Sequence, residues 1–133
     1  MDSPGAYTLA SLSLTTALSG QVQTTVDGLD GIAAATLECD FAYGSGGAAC
    51  SVLAQVSLDG GTTFRDVARF DFTTAARSAW CNLNGLLSKG VTTYTALAAE
   101  GVNDGLLGPI WRGVVSSTGT YVNTTVGLRL SAR

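Results

Sequence analysis

The sequence predicts an all-β protein: a single-domain antiparallel β-sandwich of jelly-roll-like form over residues 1–133, with about eight or nine strands and little helix. Three observations carry this. Segments with apolar residues at every second position recur along the chain, each bounded by Gly, Asn or Asp. Turn signals come roughly every 8 to 12 residues, the spacing of sandwiches and barrels. No stretch sustains the 3.6-residue period of an amphipathic helix.

Taken in order, residues 1–5 read as a loose arm. Residues 7–14 alternate, with Leu12 and Leu14 on one face and Ser11 and Ser13 on the other. A short strand over 21–26 ends at the Asp27-Gly28 and Asp30-Gly31 turn signals. Residues 32–43 place Leu37, Cys39, Phe41 and Tyr43 on one face. The Gly44-Ser45-Gly46-Gly47 run then predicts a hairpin tip, with 48–57 as the return strand. Residues 64–73 alternate again, Phe64, Asp66, Ala68, Phe70 and Phe72 against Arg65, Val67, Arg69 and Asp71. A strand over 77–83 contains Trp80. The stretch 84–108 is less regular: 91–97 is rich in β-formers and 96–100 has room for one helical turn. The strands 110–116 and 121–131 read as a final pair joined by Ser117-Thr118-Gly119-Thr120. Val126, Leu128 and Leu130 give the last of them an apolar face.

At 133 residues and 13.5 kDa, the chain is long enough for one real core, with roughly two thirds of its open-chain surface buried on folding. Hydrophobic residues make up 46% and charged residues only 13%, against roughly 25% in ordinary globular domains. Histidine is absent, which removes Ser-His-Asp and Cys-His catalysis, histidine metal ligands and an imidazole switch. A net charge of −3 with the single lysine Lys89 gives no counterion-release drive toward nucleic acid. No apolar run approaches the roughly 20 residues that span a bilayer. The opening Met-Asp-Ser-Pro lacks the basic and apolar regions of a signal peptide. Either the surface is solvated by hydroxyls, or much of it is covered by a permanent partner, because buried interface cores are depleted in charge. The second reading is preferred.

The most specific local pattern is Ser57-Leu58-Asp59-Gly60-Gly61-Thr62-Thr63-Phe64. It resembles the Asp-box of sialidases and many unrelated β-proteins. The expected physics is that of a turn: the Asp59 carboxylate accepts backbone N–H groups, Gly61 supplies a positive φ, and Phe64 packs under the hairpin beside Ser57 and Thr63. A box that occurs once in 133 residues excludes a propeller. Cys39, Cys50 and Cys81 are an odd number without Cys-x-x-Cys spacing, which favours reduced thiols over a disulfide or metal site. With Tyr43 paired to Ala48, Cys50 would face Phe41 and lie diagonal to Cys39. No metal, cofactor or catalytic residue is assigned. Among Asp27, Asp30, Glu38, Asp40, Asp59, Asp66, Asp71 and Asp104, no two carboxylates announce a glycosidase pair. A Ca²⁺ site using Asp27, Asp30 or Asp104 has no loop signature behind it. Arg65 and Arg69 form a row continued by Asp71, either solvated or paired with a neighbour's carboxylates. Trp80 and Trp111 are large anchors, with Trp111 placed among the candidate contact residues together with Gly44, Ser45, Gly46 and Gly47.

Four stretches carry a family resemblance: residues 25–31 (Thr-Val-Asp-Gly-Leu-Asp-Gly), 41–47 (Phe-Ala-Tyr-Gly-Ser-Gly-Gly), 57–64 with Asp66-Val67-Ala68, and 104–108 (Asp-Gly-Leu-Leu-Gly) leading to Ser116-Ser117-Thr118-Gly119-Thr120-Tyr121. Together they resemble a family of small virion proteins encoded by tailed phages and prophages. The chain departs from the pattern at Gly108-Pro109-Ile110-Trp111-Arg112, where Gly-Asp-Arg is common. The resemblance implies a non-enzymatic phage structural protein. The expectation is a capsid decoration (cement) protein on the head surface, made in the bacterial host cytoplasm. Its partners would be the major capsid protein and copies of itself, with neither nucleic acid nor membrane. The loops 44–47 and 84–108 are where contact is expected. A neck or tail component is the alternative, and a carbohydrate-binding module the second alternative.

Overall fold

A computed structural model describes residues 5–133 of the chain. They form eleven strands: β1 (Gly5–Leu14), β2 (Gln21–Val22), β3 (Ala34–Ala42), β4 (Ser45–Gly46), β5 (Ala49–Ser57), β6 (Arg65–Phe72), β7 (Arg77–Asn84), β8 (Gly101–Val102), β9 (Ile110–Thr118), β10 (Tyr121–Val122) and β11 (Thr124–Ala132). One sheet has the order β1-β11-β3-β7, the other β2-β9-β5-β6-β8, and β10 pairs β4 in a small third sheet. With the two-residue strands β4, β8 and β10 set aside and the equally short β2 kept, the remaining eight lie in the orders 1-8-3-6 and 2-7-4-5. First pairs with last, second with seventh, third with sixth, fourth with fifth, all antiparallel. One long hairpin folded over on itself is a jelly roll. The β-sandwich expectation is met: seven long strands and the short β2 make this framework, where about eight or nine strands are expected.

Alternation makes the core. Leu37, Cys39 and Phe41 of β3 and Val126, Leu128 and Leu130 of β11 are all at most 2% exposed. They meet Val52, Ala54 and Val56 of β5 and Phe70 and Phe72 of β6, which are equally buried. The two sheets join where Phe41 stacks on Phe72, centroids 4.8 Å apart, with Tyr121 edge-on to Phe41 at 5.5 Å. Each such side chain contributes roughly 1.5–3 kcal/mol by leaving water.

Several expectations need correction. Residues 1–4 of the expected arm lie outside the described residues, but Gly5 already pairs with Ala132. The Gly44–Gly47 run is not a hairpin tip: β3 and β5 lie in different sheets, so the run crosses the sandwich. Cys50 accordingly faces Phe72 and Ser117 rather than Phe41. The strands β9 and β11 also lie in different sheets, and their Gly119 turn, at φ 76°, is a second crossover. The strand expected over 21–26 is two residues long, followed by an isolated bridge from Val26 to Trp111. The stretch 91–97 is not a strand and 96–100 is not a helical turn. In β6 a bulge between Ala54 and Gln55 of the facing strand rotates Asp66 off the core face. Asp66 then lies opposite Gln55 and shares the outer face with Asp71.

Candidate functional site

Four features are candidates for contact or chemistry: the Ser57–Phe64 turn, the Gly44–Gly47 crossover, the 84–108 segment, and the exposed edge at Trp80.

The turn links β5 to β6 and is built around a fully buried hydroxyl. Ser57 Oγ donates to Asp59 Oδ1 at 2.8 Å and accepts the N–H groups of Gly61 (2.8 Å) and Asp59 (3.4 Å). Asp59 Oδ1 also accepts the Thr63 N–H at 2.8 Å. Gly60 and Gly61, at φ 77° and 96°, supply the left-handed backbone that closes the loop. Phe64 lies under the Arg112 guanidinium, 3.8 Å from its ring centroid. Asp59 Oδ1 is thus spent on its own turn. The Thr63 N–H and the Ser57 hydroxyl hold its carboxyl at about 2, against an ordinary 3.8. A folded value below the unfolded one contributes stability that is whole above 3.8 and lost as pH falls toward about 2. Wild-type chain is therefore expected to lose thermal stability more steeply than Asp59→Asn across that interval, read by circular dichroism melts. Ser57→Ala, which strands buried N–H groups, is expected to cost about 1–3 kcal/mol in urea unfolding.

The Gly44–Gly47 crossover is held by hydrogen bonds, although Gly44, Ser45 and Gly46 are exposed. The Gly44 N–H donates to Thr124 Oγ1 at 3.0 Å, the Gly47 N–H to the Thr120 carbonyl at 2.9 Å, and the Tyr43 hydroxyl to the Gly46 carbonyl at 2.9 Å. A Cβ at Gly44 would fall 2.3 Å from the Val122 carbonyl oxygen. Ser45 and Gly46 pair with Val122 and Tyr121. The glycines serve close approach between the sheets.

Trp111 is not a contact residue. It is fully buried, its indole N–H donating to the Gly108 carbonyl at 2.7 Å, while its backbone N–H and carbonyl exchange hydrogen bonds with Val26 at 2.8 Å. The exposed tryptophan is Trp80, at 70%. The sequence held a signal for this. Ala79, Cys81 and Leu83 alternate inward, which places Trp80 in the outer register with Ser78 and Asn82.

The segment 84–108 makes almost no strand of its own, yet it is fastened over the outer face of β6 by Asp66. Asp66 Oδ1 accepts from Gln55 Nε2 (2.7 Å) and Oδ2 from the Leu97 N–H (3.0 Å). Its backbone N–H donates to the Tyr94 hydroxyl at 2.8 Å and its carbonyl accepts from Asn103 Nδ2 at 2.7 Å. Gln55 Oε1 in turn accepts from Arg112 Nε at 2.8 Å. Arg65 lies over the Tyr94 ring, and Arg69 reaches the Leu97 carbonyl at 3.0 Å and Asp71 at 2.8 Å. Arg77 forks onto Glu100 at 2.7 and 2.9 Å, which lowers the Glu100 carboxyl and raises the guanidinium. Asp104 accepts the Asn84 N–H at 2.9 Å. Tyr94, Glu100 and Asn103 were not singled out from the sequence, because isolated polar residues in an irregular stretch leave no pattern.

The remaining acids do not converge. Glu38 and Asp40 flank Arg129 at 3.4 and 3.0 Å on the outer face of the four-stranded sheet. Among the described residues, no group of three or more His, Cys, Asp and Glu is placed to hold a metal ion. Cys39, Cys50 and Cys81 are unpaired. Burial pushes the Cys50 and Cys81 thiols up to about 11 and Cys39 higher still, so they pack as small hydrophobes. Apart from Trp80, the outer face of the four-stranded sheet is otherwise built largely of small neutral side chains: Thr8, Ser11 and Ser13 of β1, Thr125 and Ser131 of β11, and Ala42 of β3 are exposed there. The chain matches no family model, and comparison with curated proteins and with solved structures finds no match.

Proposed function

We propose that this protein is a non-enzymatic structural component of a tailed-phage virion, a decoration protein that binds the outside of the head and stabilises it. The observation that carries the reading is where the charged side chains are spent. Asp59, Asp66, Glu100, Asp104, Arg69 and Arg77 all hold the chain's own loops. What faces outward from the four-stranded sheet is mostly Ser, Thr and Ala around one cluster, Arg129 with Glu38 and Asp40, with Trp80 exposed at its β7 edge. Such a face meets another protein with little unpaired charge to desolvate. The resemblance of the four turn motifs to small virion proteins supports the same reading.

A decoration protein acts by mass action: it binds the assembled shell and adds its binding free energy to the shell's stability. Many copies on a symmetric lattice make weak individual contacts sufficient. The Asp-box resemblance does not favour a sugar-binding module, because Asp59 and Ser57 satisfy one another and the loop backbone. The proposal is tested by adding purified protein to heads that lack it, followed by co-sedimentation and thermal disruption. Bound protein and a raised disruption temperature are expected. Heads that neither bind it nor gain stability would overturn the reading, and binding to isolated tails alone would replace it with the neck or tail alternative.

A further inference from the structure

The sheet edges differ in how they are closed. β2 and β8, the outer strands of the five-stranded sheet, are two residues long. β1 carries a bulge between Thr8 and Ala10. β7 has eight residues, no bulge against β3, no proline, and no charge from Ser78 to Asn84. Short length, bulges, prolines and charges are the devices that stop edge strands from pairing with other chains. Past Arg77 at its start, β7 has none of them.

Backbone parity identifies the free groups. Ala34 and Arg133 exchange both backbone hydrogen bonds, 2.9 and 3.0 Å, so Ala34 turns its backbone polar groups toward β11. By alternation, Ala35, Leu37, Cys39 and Phe41 turn theirs toward β7, where they meet Leu83, Cys81, Ala79 and Arg77. The N–H and carbonyl groups of Ser78, Trp80, Asn82 and Asn84 therefore point off the sheet. Asn84 agrees with this parity, since its N–H is the one taken by Asp104. Ser78, Trp80 and Asn82 remain, with Trp80 at their centre. Beside them runs an open groove of about 300 Å³, lined by Ala79, Trp80 and Cys81 on one side and Glu100 and Gly101 on the other.

We infer that β7 is the surface through which a second copy of this chain binds, the two strands pairing antiparallel about a two-fold axis through Trp80. The axis follows from the three free residues. It places Trp80 opposite Trp80 of the second copy and Ser78 opposite its Asn82, so each free N–H and carbonyl meets its complement. Residues directly opposite in a sheet share a face, so the two indoles meet on the outer side and join the two four-stranded sheets into one. A two-fold contact sets like against like, and the uncharged run from Ser78 to Asn84 does so without repulsion. Arg77, the charge in β7 itself, is already paired with Glu100 within its own chain, and Glu38, opposite Trp80 on β3, is paired with Arg129. The inference stands on the edge alone and does not depend on a role in the virion.

Sedimentation equilibrium of the purified chain tests it, with two variants. Asn82→Pro removes an outward N–H and leaves the β3 bonds intact. Trp80→Arg sets like charges on the axis. Wild type is expected to sediment at twice the chain mass, and each variant to raise the dissociation constant by about tenfold or more. A short thiol cross-linker is expected to join Ser78→Cys/Asn82→Cys chains into dimers beyond the wild-type background. The two new cysteines of one chain, roughly 13 Å apart along the strand, are too far apart to be bridged within it. If circular dichroism shows Asn82→Pro to be unfolded, Trp80→Arg decides. A monomeric wild type, or a dimer that the folded variants leave unchanged, would overturn the inference.

Discussion

Replacing Trp111 by alanine is expected to lower the unfolding free energy by about 4 kcal/mol, within the usual span for deleting a buried tryptophan. The side chain is the largest among the fully buried ones. Its ring leaves a cavity in the hydrophobic core behind β9. The Gly108 carbonyl also loses its 2.7 Å donor inside the core, and a stranded buried acceptor adds to the cavity cost. Urea unfolding monitored by far-ultraviolet circular dichroism measures the change. A loss under about 1 kcal/mol, the range of a surface change, would mean that Trp111 is a contact residue after all.

Gly47→Ala is expected to cost about 3 kcal/mol, from two independent sources. The backbone at Gly47 has φ 70°, in the left-handed region where a Cβ is strained. That Cβ would also fall 2.3 Å from the Tyr121 ring, forcing out the residue that packs edge-on against Phe41 and donates from its hydroxyl to the Thr73 carbonyl at 2.8 Å. Overpacking at such a site costs roughly 1–3 kcal/mol beyond the backbone strain. The crossover ties both sheets together, so the loss is expected as a lower midpoint of the whole cooperative transition. A variant that unfolds like wild type would show that the run is a mobile exposed tip.

Period-2 alternation and turn composition made the strands legible, because both are local. Leu37, Cys39 and Phe41, or Val126, Leu128 and Leu130, declare a buried face without knowing their partners. What stayed hidden is which strands pair. In a jelly roll every sheet neighbour but β5 with β6 comes from far along the chain, and a glycine-rich crossover between sheets reads like a hairpin turn within one. The error at Gly44–Gly47 and the error at residues 117–120 have that one cause. The bulge at Val67 moved Asp66 to the outer face, an irregularity that alternation alone has no means to mark. The turn at Ser57–Phe64 was legible for the opposite reason, since all of its bonds close within seven residues. The anchoring of residues 84–108 was not, because Tyr94, Leu97 and Asn103 bind one side chain and its backbone across the fold. The placement of Trp80 was readable from Ala79, Cys81 and Leu83, once Cys81 is counted as an inward apolar residue.

The histidine-free, weakly charged composition acquires a physical meaning in this frame. The few charges brace loops, the glycines allow close approach, and the flat sheet face and the bare β7 edge are left neutral for contact. That account stands or falls on where the protein resides. Quantitative mass spectrometry of tail-free phage heads, purified from cells that carry the gene for the chain, measures it most directly. A copy number on the order of the capsid lattice, hundreds per head, is predicted for a decoration protein. Absence from tail-free heads would contradict it, and so would a copy number of a single ring.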